Sequence, residues 1–153
     1  MTSGTNGQEL VVVGVDGSAE SLRALSWAAR YATATGARVQ AVLAWHYPAA
    51  AGQAPVGIAP DPVHHQTEAQ QLAILDKAMA KAYSGQPGPA AEARLGYGHP
   101  AQVLIEASKD ADLLVVGSHG HGAFTGMLIG SVSIHCVTGA FCPVVVVRGT
   151  DVS

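Results

Sequence analysis

The stretch LVVVGVDGS at residues 10–18 decides the fold, because its first six residues are apolar or glycine and run directly into a turn. Two later runs have the same character, LLVVG at 113–117 and PVVVV at 143–147. All three are rich in β-branched valine, which favours strands. Continuous rather than alternating apolar character predicts strands that are buried on both faces, as in a parallel sheet covered by helices.

Two weaker strands are predicted at Arg38–Trp45 (RVQAVLAW) and at residues 90–95 (AAEARL). Four helices are predicted between the strands, because apolar residues recur there at helical spacing. The first three helices contain Leu22, Leu25, Ala29 and Ala32; Leu72, Leu75, Met79 and Ala82; and Val103, Leu104 and Ala107. The fourth helix is predicted over residues 131–140, with Ile134 and Val137 facing the core. Ser18 is the expected N-cap of the first helix and Gly36 its stop, and Pro100 suits the first turn of the third. The order β-α-β-α-β-α-β-α-β predicts an α/β fold with helices on both faces of a parallel sheet.

Length and composition indicate one globular domain over residues 1–153, with residues 1–8 as a flexible tail. The chain is 48% hydrophobic and 12% charged, which is too apolar for a disordered protein. Its net charge of −3 argues against non-specific nucleic-acid binding. No apolar run approaches the about 18–20 residues that cross a bilayer, and the N-terminus lacks a secretory pattern, so we expect a cytoplasmic protein without a membrane partner.

Cysteine and histidine offer no metal-binding spacing. Cys136 and Cys142 are expected to be buried thiols in a reducing compartment. His119 and His121 flank a glycine, and histidines 64 and 65 are adjacent, but neither arrangement matches a HExxH or zinc-ribbon pattern. We therefore expect no dedicated metal site.

The turns that follow the strands hold the candidate ligand-binding residues, because open α/β sheets bind ligands beyond the carboxyl ends of their strands. Asp16-Gly17-Ser18 follows the first strand. Two interpretations of it stay open: Ser18 caps the first helix, or the Asp16 carboxylate meets a ligand hydroxyl or a bound Mg²⁺.

A glycine-rich segment follows the fourth strand, with five glycines between residues 117 and 130 and a serine directly after them. Glycine is kept where backbone must approach another group closely, and a helix N-terminus attracts anions. We expect Gly130 to admit a phosphate and the hydroxyls of Ser131 and Ser133 to add donors. No Gly-Lys pair exists, which excludes a Walker A loop, and no GxGxxG follows the first strand.

The pattern Gly117-x2-Gly120-x9-Gly130-Ser131 resembles the nucleotide-binding motif of the universal stress protein family. The resemblance extends over VVVGVDGS at 11–18, GHP at 98–100, ADLLVVGSHGHG at 111–122, GSVS at 130–133 and CPVVVV at 142–147. It implies a five-stranded parallel sheet in the order 3-2-1-4-5 and ATP, alone or with Mg²⁺, as ligand. It also implies a homodimer, which we expect to form through the last strand, residues 143–147, at the sheet edge.

The resemblance also implies a set of nucleotide-binding residues. Asp16 would lie by the nucleoside, and Ala44 and Val116 would border the adenine. The whole set comprises Gly14, Val15, Asp16, Ala44, Val116, Gly117, Gly120, Gly130, Ser131, Val132 and Ser133. Two departures are His119 and His121, where many relatives carry a basic residue, and the irregular stretch over residues 46–63, expected to be a mobile surface loop or, alternatively, a lid.

Three functions compete at this point. The leading hypothesis is a nucleotide-binding regulatory or stress-response protein with no catalysis or slow hydrolysis. The second is an ATPase or phosphotransferase, which would need a positioned base and charge stabilisation near the γ-phosphate. The third is a dimeric interaction module whose pocket is vestigial.

Overall fold

Strands and helices alternate along the chain as the sequence predicts. The computed structural model describes residues 7–45, 67–84, 91–119 and 129–149. The elements in these ranges are β1 (Leu10–Gly14), α1 (Ala19–Thr35), β2 (Arg38–Trp45), α2 (Glu68–Ala82), β3 (Glu92–Tyr97), α3 (Pro100–Ser108), β4 (Leu113–Gly117), α4 (Ser131–Gly139) and β5 (Val144–Val147). Among the described residues, no helix is long and apolar enough to cross a bilayer.

The five strands form one parallel sheet in the order β3-β2-β1-β4-β5, which confirms the predicted fold class. β3 lies two residues further along the chain than predicted, and its register pairs Gln40 with Glu92 and Trp45 with Tyr97. The residues of β3 are exposed or half-buried, as expected for a strand at the edge of a sheet, so its ends are not marked by a buried apolar run. β5 begins directly after Pro143, the residue that has no N–H to give to a ladder.

Helices cover both faces, and successive strand residues alternate between two cores. Val11, Val13 and Val15 pack on the side of α1 and α2. Val12, together with Leu114 and other residues of alternate parity, packs on the side of α3 and α4. β1 and β4 are consequently buried on both faces, which accounts for their unbroken apolar runs.

The helix ends follow local sequence chemistry. The Ser18 side chain caps α1 by accepting a hydrogen bond from the Ser21 N–H, and Gly36 ends the helix in the left-handed conformation at φ 79°. Thr67 begins α2 in a capping box with Gln70. Pro100 stands in the first turn of α3. The predicted caps Ser18 and Gly36 and the predicted position of Pro100 are confirmed.

The predicted inward face of α4 is wrong. Ile134 and Val137 are 43% and 52% exposed, whereas Ser133 and Cys136 are buried. The side of α4 that faces the sheet carries Ser133, whose hydroxyl bonds to the carbonyl of Gly117 at 2.5 Å, and Cys136, which packs in the core. On α2, Leu72 is likewise 40% exposed, because the buried positions follow Gln71, Leu75, Ala78 and Ala82 instead.

Candidate functional site

The carboxyl ends of β1 and β4 lie side by side at the centre of the sheet. The chain runs from β1 outward to β2 and β3, then crosses back to β4 and β5 on the other side of β1. This reversal leaves a crevice between the turns that follow β1 and β4, and such a crevice is where open α/β sheets bind ligands. The predicted candidate residues at the carboxyl ends of β1 and β4, and in the turns that follow, therefore lie at the same edge of the sheet.

The turn after β1 is organised by Asp16. Its Oδ1 accepts hydrogen bonds from the Ser18 N–H at 2.9 Å and from the Ser18 hydroxyl at 2.5 Å, while Gly17 takes φ 85°. The Asp16 N–H in turn donates to the Ser21 hydroxyl at 3.3 Å. The capping interpretation is therefore confirmed, and the exposed carboxylate is held in a fixed orientation at the mouth of the crevice.

The first turn of α1 leaves no room for a side chain at Gly117, the last residue of β4. A Cβ at this position would lie 2.8 Å from the carbonyl oxygen of Glu20 and 2.9 Å from its carbonyl carbon. At Gly14, a Cβ would lie 2.7 Å from a methyl group of Leu104 on α3. Both glycines thus allow close helix packing on the strand ends, an explanation that needs no ligand.

The N-terminus of α4 is fastened to the end of β4. The Gly130 N–H donates to the carbonyl of Ser118 at 2.5 Å, and the Ser118 N–H donates to the carbonyl of Val147 on β5 at 3.0 Å. Together with the bond from Ser133 to Gly117, these contacts fix the first turn of α4 beside the crevice. Ser118, which is 2% exposed, is an organising residue that sequence reasoning missed. The sequence feature that could have indicated this role is the position of Ser118 directly after the glycine that ends β4.

The first turn of α4 presents backbone donors. The first hydrogen bond within the helix runs from the Ile134 N–H to the Gly130 carbonyl, so the N–H groups of residues 131–133 have no acceptor inside the helix. Such a group of N–H donors with the positive end of the helix dipole attracts anions. Ser131 is exposed at this end, whereas Ser133 is buried and donates its proton to the protein backbone. The Ser133 hydroxyl proton is therefore engaged by the protein, and the donor that Ser133 has left for a phosphate is its backbone N–H.

The other candidate residues fall on different sides of the sheet. Val116 is buried in the core beneath α3 and α4, and Val15 is buried on the α1 and α2 side, so these two can contribute to a ligand only through their backbone. Val132, in the first turn of α4, is half-buried and packs against the same core as Val116. Ala44, half-buried at the end of β2, lies two residues beyond Val42, whose carbonyl accepts from the Val15 N–H at 2.8 Å.

Aromatic side chains stand at the same edge of the sheet. Trp45 and Tyr97 end β2 and β3 in register and meet edge to face, with ring centroids 5.8 Å apart. Sequence reasoning did not single them out, although both close a strand. They extend the carboxyl edge of the sheet beyond Ala44 with an aromatic surface, of which Tyr97 is 66% exposed.

The middle of the glycine segment lies outside the described residues, and so do the predictions on Gly120, His121 and residues 46–63. His119 is described, and its Nδ1 lies 3.1 Å from the Ser118 hydroxyl oxygen. The sequence from 117 to 133 contains neither lysine nor arginine. Backbone N–H groups, hydroxyls and imidazoles are therefore the groups that this segment can offer to a phosphate.

Neither cysteine has the character of a reactive or metal-binding thiol. Both are unpaired, and Cys136 is completely buried, which raises its pKa to about 11. Burial also raises the pKa of the half-buried Cys142, with a smaller contribution from the carboxylate of Asp112. Within the described ranges, no three His, Cys, Asp or Glu side chains are grouped so that they could hold a metal ion.

The sheet order and the reversal between β1 and β4 define a doubly wound α/β protein. In this class of protein, the switch point between the two central strands is the usual place for a ligand. The model of the universal stress protein family matches residues 9–148. The chain belongs to the universal stress protein family.

Relatives of known name agree with this assignment. A universal stress protein of Mycolicibacterium smegmatis is 37% identical over 140 residues, which is 90% of this chain but 45% of that protein. The chain thus spans a little under half the length of this relative. A universal stress protein of Thermus aquaticus is 32% identical and is covered over 97% of its length.

Solved structures share the fold. A universal stress protein in complex with cAMP is 32% identical, with a TM-score of 0.63 over 91% of this chain and 95% of that one. The protein Rv1636 from Mycobacterium tuberculosis is 28% identical, with a TM-score of 0.55 over 98% of this chain and 99% of that one.

Proposed function

We propose that this protein binds an adenine nucleotide at the carboxyl ends of β1 and β4, with the phosphates at the N-terminus of α4. The observation that carries the proposal is the fastening of that helix end to β4 by Gly130 and Ser133, which fixes the N–H groups of residues 131–133 beside the crevice. A site that is ordered before the ligand arrives loses less entropy on binding. Membership of a family with a cAMP-complexed member supports an adenine nucleotide as the ligand.

ATP, alone or with Mg²⁺, is the ligand that the glycine motif implies. In this proposal the exposed Asp16 carboxylate serves the ribose or the metal ion, and Ala44 and the backbone of Val116 border the base. Phosphate oxygens accept from the first turn of α4 and from the Ser131 hydroxyl. The proposed nucleotide-binding residues are Gly14, Val15, Asp16, Ala44, Val116, Gly117, Gly120, Gly130, Ser131, Val132 and Ser133.

The proposed role is regulatory rather than catalytic. Phosphoryl transfer needs fixed positive charge to stabilise the transition state, and residues 117–133 contain no lysine or arginine. Slow hydrolysis is compatible with Asp16 and the imidazole of His119, but fast turnover is not. We place this activity in the cytoplasm, which the unpaired state of Cys136 and Cys142 supports.

Cyclic AMP is a second candidate ligand, favoured by the 32% identity to a universal stress protein in complex with cAMP. Its single phosphate carries one negative charge, which a helix N-terminus without lysine or arginine can satisfy through backbone donors. ATP carries more charge and depends more on Mg²⁺. Calorimetric titration of ATP with and without Mg²⁺, ADP, AMP and cAMP into one protein preparation ranks these ligands directly.

Ser131→Asp is the sharpest test of the phosphate site. An aspartate in the first turn of α4 stabilises the helix through its dipole, so the fold is kept, but it repels a phosphate at the same N–H groups. We expect affinity for the best nucleotide to fall ten- to a hundredfold, about 1–3 kcal/mol, with Ser131→Ala losing about 0.5–1.5 kcal/mol.

Adenosine is the matched control, because it lacks the phosphate and should bind both variants like the unmodified protein. The proposal fails if the unmodified protein shows neither heat nor a thermal shift with millimolar adenine nucleotides, or if Ser131→Asp binds them unchanged. Loss of adenosine binding in the same variant would mean that the substitution disturbs the base subsite instead.

A two-fold homodimer through β5 completes the proposal. β5 lies at the edge of the sheet, and within the described residues it pairs with β4 alone. An edge strand of four valines, each half-buried, has outward backbone groups that an antiparallel copy can satisfy. Val145→Lys should weaken self-association in sedimentation velocity, and a monomeric unmodified protein at tens of micromolar, roughly the range of transient interfaces, would contradict the dimer.

A further inference from the structure

One arginine lies close to the end of β4, although residues 117–133 contain none. Arg148 follows directly after Val147, the last residue of β5. Gly117 and Val147 are paired in the sheet, and the Ser118 N–H donates to the Val147 carbonyl at 3.0 Å. Because neighbouring strands are about 4.8 Å apart, Arg148 follows β5 beside Ser118, at the carboxyl edge of the sheet.

The side of the sheet to which Arg148 points follows from the alternation along β5. The α1 and α2 side takes Val145 and Val147, and the α3 and α4 side takes Val144 and Val146. The alternation continues past the strand, because a Cβ on Gly149 would lie 2.9 Å from Nη1 of Arg23 on α1. Arg148 stands between Val147 and Gly149, so its side chain is directed to the side of α3 and α4.

The N-terminus of α4 lies on this same side, next to Ser118. The Gly130 N–H donates to the Ser118 carbonyl at 2.5 Å, and the Ser133 hydroxyl donates to the Gly117 carbonyl at 2.5 Å. The first turn of α4 is thus fastened to the backbone beside which Arg148 leaves β5. Arg148 is exposed, and its guanidinium makes no hydrogen bond or ion pair with another residue that the structure describes.

We propose that Arg148 supplies the fixed positive charge of the nucleotide site and binds the outer phosphates of the ligand beside the N-terminus of α4. This inference rests on the proposed function, which puts phosphates at the N–H groups of residues 131–133, and it adds a side chain from the end of β5. Arginine forms charge-assisted hydrogen bonds with phosphate oxygens and, unlike imidazole, stays charged at neutral pH. The charge serves binding, since phosphoryl transfer would also need a positioned base.

The competing role for Arg148 is that of a solvated charge at the end of an edge strand, which discourages pairing with other chains. Its direction favours the phosphate role, because the side chain leaves the strand on the side of α4. Arg23, a second arginine at this edge, is bonded to Glu20 at 2.6 Å and lies on the opposite side of the sheet. Arg148 is therefore the arginine whose position and charge match the phosphates.

Removal of the charge at position 148 should distinguish ligands by their number of phosphates. With chelator in place of Mg²⁺, we expect Arg148→Gln to weaken ATP about tenfold, AMP and cAMP about threefold or less, and adenosine not at all. Arg148→Lys keeps the charge and should recover most of the loss. Arg30→Gln is the matched control, because Arg30 is exposed in the second half of α1, towards the opposite edge of the sheet.

Salt gives a second readout. Raising the ionic strength should reduce the difference in ATP affinity between Arg148→Gln and the unmodified protein, because ions screen an exposed charge. Added Mg²⁺ should reduce it too, since the bound ion neutralises part of the phosphate charge. A difference that is independent of both would show that Arg148 acts on the shape of the site, and this result would overturn the inference.

The outcomes of calorimetric titration separate this inference from the proposed function. If Arg148→Gln binds ATP as tightly as the unmodified protein, Arg148 is a solvated charge only, and the nucleotide site stands without it. An equal loss for ATP and adenosine would also overturn the inference, because adenosine has no phosphate. Failure of the unmodified protein to bind any of these ligands would overturn the proposed function and this inference together. Circular dichroism melting checks the fold of each variant.

Discussion

Replacing Gly117 by alanine should destabilise the protein through α1, whether or not a nucleotide is bound. The added Cβ would lie 2.8 Å and 2.9 Å from the carbonyl oxygen and carbon of Glu20. Both atoms belong to backbone in the first turn of α1, so no side-chain rotation can relieve the contact. Either the helix moves away from β4 or the end of the strand is displaced.

The size of the effect follows from comparison with Gly14. Overpacking against backbone costs about 1–3 kcal/mol, which lowers the Tm of a protein of this size by about 2–12 °C. At Gly14 the nearest atom is a methyl group at the end of the Leu104 side chain, 2.7 Å away, which can change rotamer. Gly14→Ala should therefore cost less than Gly117→Ala, by about 1 kcal/mol.

Urea unfolding of the two variants and the unmodified protein measures both free energies, and nucleotide titration of each folded variant gives the affinity. If Gly117→Ala unfolds with unchanged free energy but no longer binds nucleotide, the packing explanation is wrong and the glycine is there for the ligand. If Gly14→Ala proves the more damaging, the reasoning that separates backbone from side-chain contacts is refuted.

Three further predictions concern buried groups and metals. Ser133→Ala should lower the free energy of unfolding by about 1–3 kcal/mol, because the buried carbonyl of Gly117 loses the hydroxyl donor. Substitution of the exposed Ser131 by alanine should change it by no more than about 0.5 kcal/mol in the same urea assay. Equal losses would contradict the view that Ser133 holds α4 against the end of β4. A thiol reagent at pH 8 should modify Cys142 before Cys136 in the native protein, with Cys142→Ser as the control. Burial raises the pKa of Cys136 from 9.0 to about 11, so between these pH values the folded state keeps a proton that the unfolded chain loses. The free energy of unfolding should therefore fall as the pH rises from 9 to 11, and it should fall less in Cys136→Ala. Excess chelator should leave the Tm unchanged, since no metal-binding group is found among the described residues; a drop that Zn²⁺ restores would reverse this prediction.

Most of the architecture could be predicted from sequence because it depends on local rules. The runs at 10–14 and 113–117 are apolar throughout since both faces are covered, and this feature separates parallel from antiparallel sheets. Ser18 and Gly36 mark the ends of α1 through chemistry confined to a few neighbouring residues. The strand order, by contrast, came from the resemblance to the family, since periodicity does not tell which strands are neighbours.

The sequence by itself determined the alternation of strands and helices, the covering of both sheet faces and the edge of the sheet at which a ligand crevice can form. Tertiary structure alone decided the rotation of α4: Ser133, bonded to the Gly117 carbonyl, and the fully buried Cys136 face the sheet, while Ile134 and Val137 are exposed. It also decided why Gly117 is glycine. The physical reason is the same in both cases, because each deciding contact joins residues that are distant in the chain. Gly117 meets Glu20 in one case and Ser133 in the other, and a local sequence pattern does not show which distant residues come into contact.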